Sequence, residues 1–178
     1  MIIWLASYPK SGNTWLRALI SSYYFSNNGN FNFDLLKQID SFPSARFFKN
    51  YPDKFEKPED TSKYWIKEQE KINDQNKIFF LKTHNALCKI SGNKFTNRDN
   101  TLAVVYIVRD PRNVITSISH HYQITIDEAL NFMKDKNRGI VTKENKRYIG
   151  FQPLLSWDLH LKSWTENTLY PTHIIRYE

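Results

Sequence analysis

The sequence has a single cysteine, Cys88. No disulfide can form within the chain, which fits a reducing compartment. Long apolar runs are also missing. The stretch from Ile2 to Ala6 is too short for a signal-peptide core or a membrane span, and no later run is long enough either. There is no Walker A pattern, in which four residues separate a glycine from Gly-Lys-Ser/Thr; an ordinary ATP or GTP P-loop is therefore not supported. No cluster of His, Cys and carboxylates stands at ligand spacing, so no metal is expected. Internal repeats and low-complexity linkers are absent. The default expectation is one cytoplasmic domain.

What is present suits a folded protein. The chain has 178 residues, 40% of them hydrophobic and 15% aromatic, enough for a real core. Its formal charge is +7, a balance that favours anionic partners without choosing among nucleic acid, acidic lipid and phosphorylated small molecules.

The pattern reads as alternating strands and helices. Ile2 to Ala6 forms a first strand. Leu16, Leu19, Ile20 and Tyr23 follow at helical spacing, placing a helix start near Thr14. "NNGNFN" is a loop. Residues 42–61 are irregular, with one or two short helices, and "TSKYWIKEQEKIN" is a helix. "KIFFLKTH" is a second strand ending near Thr83. "TLAVVYIV" is a third, apolar enough for burial on both faces. Pro111 suits the first turn of a helix reaching about Tyr122. Thr125 and Glu128 form a capping box for the next helix. Pro153 is expected to open a further helix carrying Leu154, Trp157, Leu161 and Trp164. "THIIRY" is the last strand. This order implies an α/β fold with a mostly parallel sheet flanked by helices. The chain stops on Glu178 just after a strand, and further sequence downstream is expected.

In such sheets ligands bind at the carboxyl ends of strands. The first strand ends in "SYPKSGNTW". Gly12 lets backbone approach a ligand. Helix-start amides point at the same spot, where the helix dipole favours an anion. Ser11 and Thr14 offer hydroxyls, and Lys10 a full positive charge. The loop therefore suits a phosphate-like group, or is an ordinary turn with Thr14 as cap. Further on, Arg109 ends the third strand and Ser117 lies eight positions later; a guanidinium fork and a hydroxyl together can bind a second phosphate. In "FLKTHNA", His84 follows a strand end on the same sheet edge, and histidine suits proton abstraction near neutral pH.

Taken together, "YPKSGNTW", "VRDPRNVITSIS", "KTH" and "RYE" resemble, in order, the motifs of sulfotransferases that use 3′-phosphoadenylyl sulfate (PAPS), most nearly the cytosolic type. The resemblance runs from Tyr8 to Glu178. It implies a P-loop-like three-layer fold in a single sulfotransferase domain, with PAPS as co-substrate and no metal. Residues Lys10, Ser11, Gly12, Asn13 and Thr14 would hold the 5′-phosphate side, and Trp15 would stack on adenine. Arg109 and Ser117 would contact the 3′-phosphate. His84 would be the general base, Lys82 would contact the transferred group, and Lys10 would stabilise the departing phosphate. Tyr177 would lie near the adenine.

Departures are specific. Asn13 stands where threonine is usual, and Asn85-Ala86 where Leu-Pro is usual. The family's C-terminal Arg-Lys-Gly and Gly-Asp-Trp elements do not occur, so the domain is expected to lack its C-terminal segment. The acceptor, a small molecule with a hydroxyl or amine, is open. Phe42, Phe47, Phe48, Tyr51 and Phe55 would either line its pocket or simply pack. Two rival readings are an ATP-dependent small-molecule kinase, opposed by the missing Walker A, and a basic nucleic-acid-binding module. The second would need a basic stripe, whereas "KFEKPEDTSK" alternates sign.

Overall fold

The computed structural model describes residues 1–75 and 77–178. In chain order the elements begin with β1 (Ile2–Ala6), α1 (Asn13–Phe25), a 3₁₀ turn (Phe33–Gln38), β2 (Asp40–Ser41), α2 (Ala45–Phe48), a second 3₁₀ segment (Pro58–Tyr64) and α3 (Trp65–Asn73). Then come β3 (Phe79–Thr83), the short pair β4 (Lys89–Ile90) and β5 (Asn93–Lys94), β6 (Thr101–Val108), α4 (Pro111–Tyr122) and α5 (Ile126–Lys134). A hairpin of β7 (Gly139–Glu144) and β8 (Arg147–Pro153) precedes α6 (Trp157–Thr165) and β9 (Thr172–Arg176). No helix among the described residues is long and apolar enough to cross a membrane.

The main sheet has five strands in the order β2-β3-β1-β6-β9, and every neighbouring pair is parallel. Because all strands run one way, their carboxyl ends share one edge. Ala6 pairs with Thr83 and with Tyr106, and Val108 pairs with Arg176. The residues that leave this edge are Ser7, His84, Arg109 and Tyr177, so parallel register alone gathers them.

The two faces of β1 alternate as period-two geometry requires. Ile2, Trp4 and Ala6 join an aromatic core with Phe42, Phe95, Trp65 and Trp164. Leu5 instead packs with Leu16 of α1, Ile39 and Ile107. Helices therefore cover both faces, which gives the three layers. A separate cluster of Tyr8, Val114, Ile118, Phe132, Met133 and Leu154 ties α4 and α5 to the end of β1. Phe42, Phe48 and Phe55 are fully buried in the core, with Phe47 and Tyr51 packed against it. These aromatics are packing residues.

Local signals behave as the sequence predicts at several places. Pro111 opens α4 and the Asp110 side chain caps it. Thr125 and Glu128 make a full capping box. Three expectations need correction. The 61–73 helix begins as 3₁₀ and becomes α only at Trp65. Burial along β6 is interrupted, with Leu102 exposed. Most importantly, Pro153 does not open a helix. It ends β8, and its carbonyl accepts the Ala86 N–H at 2.8 Å. A proline has no donor but keeps its acceptor, so a strand terminus suits it. The helix starts at Trp157, after Ser156 as N-cap and a turn in which Leu155 has φ 61°.

Candidate active site

A cavity of about 500 Å³ opens at the carboxyl edge of the sheet. Lys10, Gly12, Asn13, Thr14 and Trp15 form one wall. His84, Arg109, Ser117 and Tyr177 close the others. Thus the structure brings nine of the sequence-nominated residues to one space. Ser11 and Lys82 are the two that do not line it.

The loop between β1 and α1 is shaped by its backbone. Lys10 has φ 65° and Gly12 has φ 95°. These two left-handed residues, on either side of Ser11, turn the chain sharply between the strand end and the start of α1. The first helical bond runs from Leu16 N–H to Gly12 C=O at 3.1 Å. The amides of Asn13, Thr14 and Trp15 precede any intrahelical acceptor and remain available at the positive end of the helix dipole.

Asn13 behaves differently from the phosphate-binding side chain expected of it. Its side chain is buried and donates inward, to the Leu5 carbonyl at 2.9 Å and to Ser7 Oγ at 3.1 Å. Of its donors, the backbone N–H is the one left for the cavity, and Oδ1 has no partner among the described residues. Ser11 is also buried, and its hydroxyl has no partner among the described residues. Thr14 and Trp15 are exposed at the rim, and Trp15 meets Tyr177 edge-on at 6.1 Å. Trp15 is therefore not a core anchor.

Arg109 is held on several sides. Its Nη1 donates to the Lys10 carbonyl at 3.1 Å. Its guanidinium lies 4.6 Å from the Tyr177 ring centre. Its Nε stands 3.8 Å from a Glu178 carboxylate oxygen. Glu178 is anchored in turn by the Asp110 N–H and Asn113 Nδ2, both at 3.1 Å. Nη2 keeps no partner among the described residues, so the fork retains a donor. Asp110 pairs with Arg112 rather than with Arg109.

His84 presents a defined tautomer. Its Nδ1 lies 2.8 Å from the Ser7 carbonyl, which can only accept, so Nδ1 carries the proton. Nε2 then holds the lone pair. Burial, and next the nearby Lys82 ammonium, push the His84 pKa well below 6.5; the ring is neutral at physiological pH and ready to take a proton. Lys82 sits opposite Leu5, on the α1 side of the sheet. Burial, then the Arg17 charge, lower its pKa to about 8.

Several residues that hold this site carry no motif of their own. The His84 N–H donates to Gln152 Oε1 at 3.1 Å. One face of α6 grips the segment after β3. His160 Nε2 donates to the His84 carbonyl at 3.1 Å, Trp164 Nε1 donates to the Asn85 carbonyl at 3.0 Å, and Ser163 Oγ accepts the Leu87 N–H at 3.0 Å. The Trp157–Trp164 periodicity shows that a helix is there, but not that its polar positions face His84. His121, Tyr122 and Ile140 also line the cavity. The hairpin that brings Ile140 and Gln152 turns at Asn145 and Lys146, which both adopt positive φ, 47° and 65°, as a two-residue hairpin turn requires; in the sequence the signal for it is Asn145, because Asn tolerates that region.

His160 is fully buried, with Tyr106 Oη donating to its Nδ1 at 2.9 Å. Replacing it by Ala should cost about 2–4 kcal/mol in chemical denaturation, from lost packing and two unpaired polar groups. His160→Gln should recover part of this, because its amide can still donate to the His84 carbonyl. Burial lowers the His160 pKa from 6.5 to about 4. The unfolded chain binds that proton more readily, so this contribution to stability is complete above pH 6.5 and lost as pH falls towards 4. Both variants should flatten that decline; an unchanged pH slope would contradict the assignment.

A five-stranded parallel sheet with helices on both faces and a strand-to-helix loop at its carboxyl edge defines a P-loop-like α/β fold. Residues 2–178 match the model of the sulfotransferase domain, and the chain belongs to that family. No curated protein matches the sequence. Among solved structures, the crystal structure of an uncharacterized protein from Eubacterium ventriosum ATCC 27560 is similar at 16% identity and TM-score 0.40, covering 75% of this chain and 69% of that one.

Proposed function

We propose that the chain transfers the sulfuryl group of PAPS to a hydroxyl or amine of a small-molecule acceptor. The observation that carries this reading is the meeting, around one cavity, of the Lys10–Trp15 cradle, the Arg109–Ser117 pair and the unprotonated Nε2 of His84. The residues fit a nucleotide with two separated anionic groups. The helix-start amides and Lys10 suit the 5′ side, and Arg109 and Ser117 suit a 3′-phosphate. Trp15 and Tyr177 offer aromatic faces for the base. His84 takes the acceptor's proton, and Lys10 stabilises charge on the departing phosphate oxygen. Lys82 takes its role at the transferred group from the family resemblance alone, since it does not line the cavity. Positioning and electrostatics dominate such transfers.

The test is thermal unfolding with adenosine 3′,5′-bisphosphate, ADP and 5′-AMP. At about a hundred times its dissociation constant the bisphosphate should add about 2.7 kcal/mol. Arg109→Ala should weaken bisphosphate binding by about 10–100-fold, the worth of a charge-assisted contact, and leave 5′-AMP unaffected. Equal stabilisation by ADP and the bisphosphate would overturn the 3′-phosphate reading and favour a kinase.

A further inference from the structure

A second cavity, of about 440 Å³, shares no lining residue with the first. It lies on the flank reached by the chain after β3 and bounded by the segments that lead into β6 and β9. Its floor is apolar, formed by Leu87, Phe95 and Tyr170. Phe95 and Tyr170 are buried in the main core, so the floor is rigid. Lys89, Lys94 and Arg98 surround it, and among the described residues no carboxylate lines it. None of these cations takes part in a salt bridge among the described residues.

We propose that this cavity is a binding site for an amphiphilic anion, a molecule with an apolar body and one anionic head, carboxylate or sulfate. The size falls within the range of small-molecule sites, which are mostly apolar with a few convergent polar groups. An apolar body gains by leaving water against Leu87, Phe95 and Tyr170. The head finds cations that have no carboxylate partner among the described residues, which discriminates against neutral and cationic amphiphiles. The site stands independently of the donor reading above. It adjoins the catalytic edge through the chain itself, since Leu87 is held by Ser163 on the helix that also holds the His84 carbonyl.

Cys88 lines this cavity and is the chain's only cysteine, so its labelling reports occupancy at one place. Burial pushes its thiol pKa up to about 11, and the rate should be followed at alkaline pH with methyl methanethiosulfonate. Decanoate and decyl sulfate serve as probes, with decanol as the neutral control. An anion at about ten times its dissociation constant should slow labelling about tenfold, and the tighter of the two identifies the preferred head. Decanol and adenosine 3′,5′-bisphosphate should not protect. The triple variant Lys89→Gln, Lys94→Gln, Arg98→Gln changes exposed positions, so it should fold with an unchanged unfolding midpoint and lose protection. Equal protection by decanol, protection that survives the triple variant, or no protection by either anion would overturn the proposal.

Discussion

Replacing His84 by Gln is expected to lower turnover by about 10²–10⁴-fold, the usual contribution of a positioned general base. Glutamine can still donate its amide to the Ser7 carbonyl, so the loop should keep its shape and bisphosphate affinity should stay near wild type. The loss should fall on kcat, because proton removal is needed only as the acceptor attacks. The pH profile gives an independent reading. His84 titrates well below 6.5 because burial and the Lys82 charge oppose its protonation. The acid limb of kcat/KM should therefore lie below pH 6.5, with activity falling as pH drops through the depressed pKa. In His84→Gln that limb should vanish. Wild-type turnover in the variant, or an acid limb above pH 7 in the parent, would remove His84 from the mechanism.

The second large effect is expected at Gly12. Its φ of 95° is a conformation that L side chains rarely adopt, and a Cβ there would lie 2.6 Å from Tyr177 Cε2 and 3.3 Å from Ile107 Cδ1. Backbone strain alone costs about 1–2 kcal/mol. The Tyr177 ring must also move, and that ring is the surface on which Arg109 rests. Gly12→Ala should thus lower stability by about 1–3 kcal/mol, a fall of several degrees in Tm, and weaken bisphosphate binding by at least about tenfold, the scale of one charge-assisted contact. The double variant Gly12→Ala, Tyr177→Ala separates the two causes. Removing the ring relieves the overlap but not the strain, so the double variant should be more stable than the sum of the single effects predicts. Strict additivity would show that Tyr177 does not pack on Gly12.

Both predictions concern residues that sequence motifs single out, but their reasons differ in kind. The glycine is legible because a sharp strand-to-helix turn next to Lys10 and Ser11 calls for one. That Tyr177 sits over it is not legible, because the two are brought together only by β9 reaching the same sheet edge. Asn13 shows the converse. As a polar residue in the loop it reads as a ligand contact. In the fold its amide is spent on Leu5 and Ser7, and Ser7 in turn holds His84. Its identity therefore bears on how Ser7 and His84 are held. The hairpin before α6 was missed for a related reason. Its strands pair with each other outside the main sheet; β7 is exposed from Val141 to Glu144, and the apolar residues of β8, Tyr148, Ile149 and Phe151, are interrupted by Gly150, so neither strand shows the unbroken apolar run that marks a core strand.

By itself, the sequence determined what depends on neighbours along the chain. This includes the β1 strand, the start of α1, the caps of α4 and α5, the alternation that implies a parallel sheet, and the motifs that mark one family. Each rests on spacing within a few residues, where backbone geometry leaves little choice. Tertiary structure alone decided which polar groups face the cavity and which face each other. His160, Gln152 and Glu178 lie far along the chain from the groups they hold. Their roles come from strand order and from the demand that buried donors and acceptors find partners, a demand satisfied only once the chain has closed on itself.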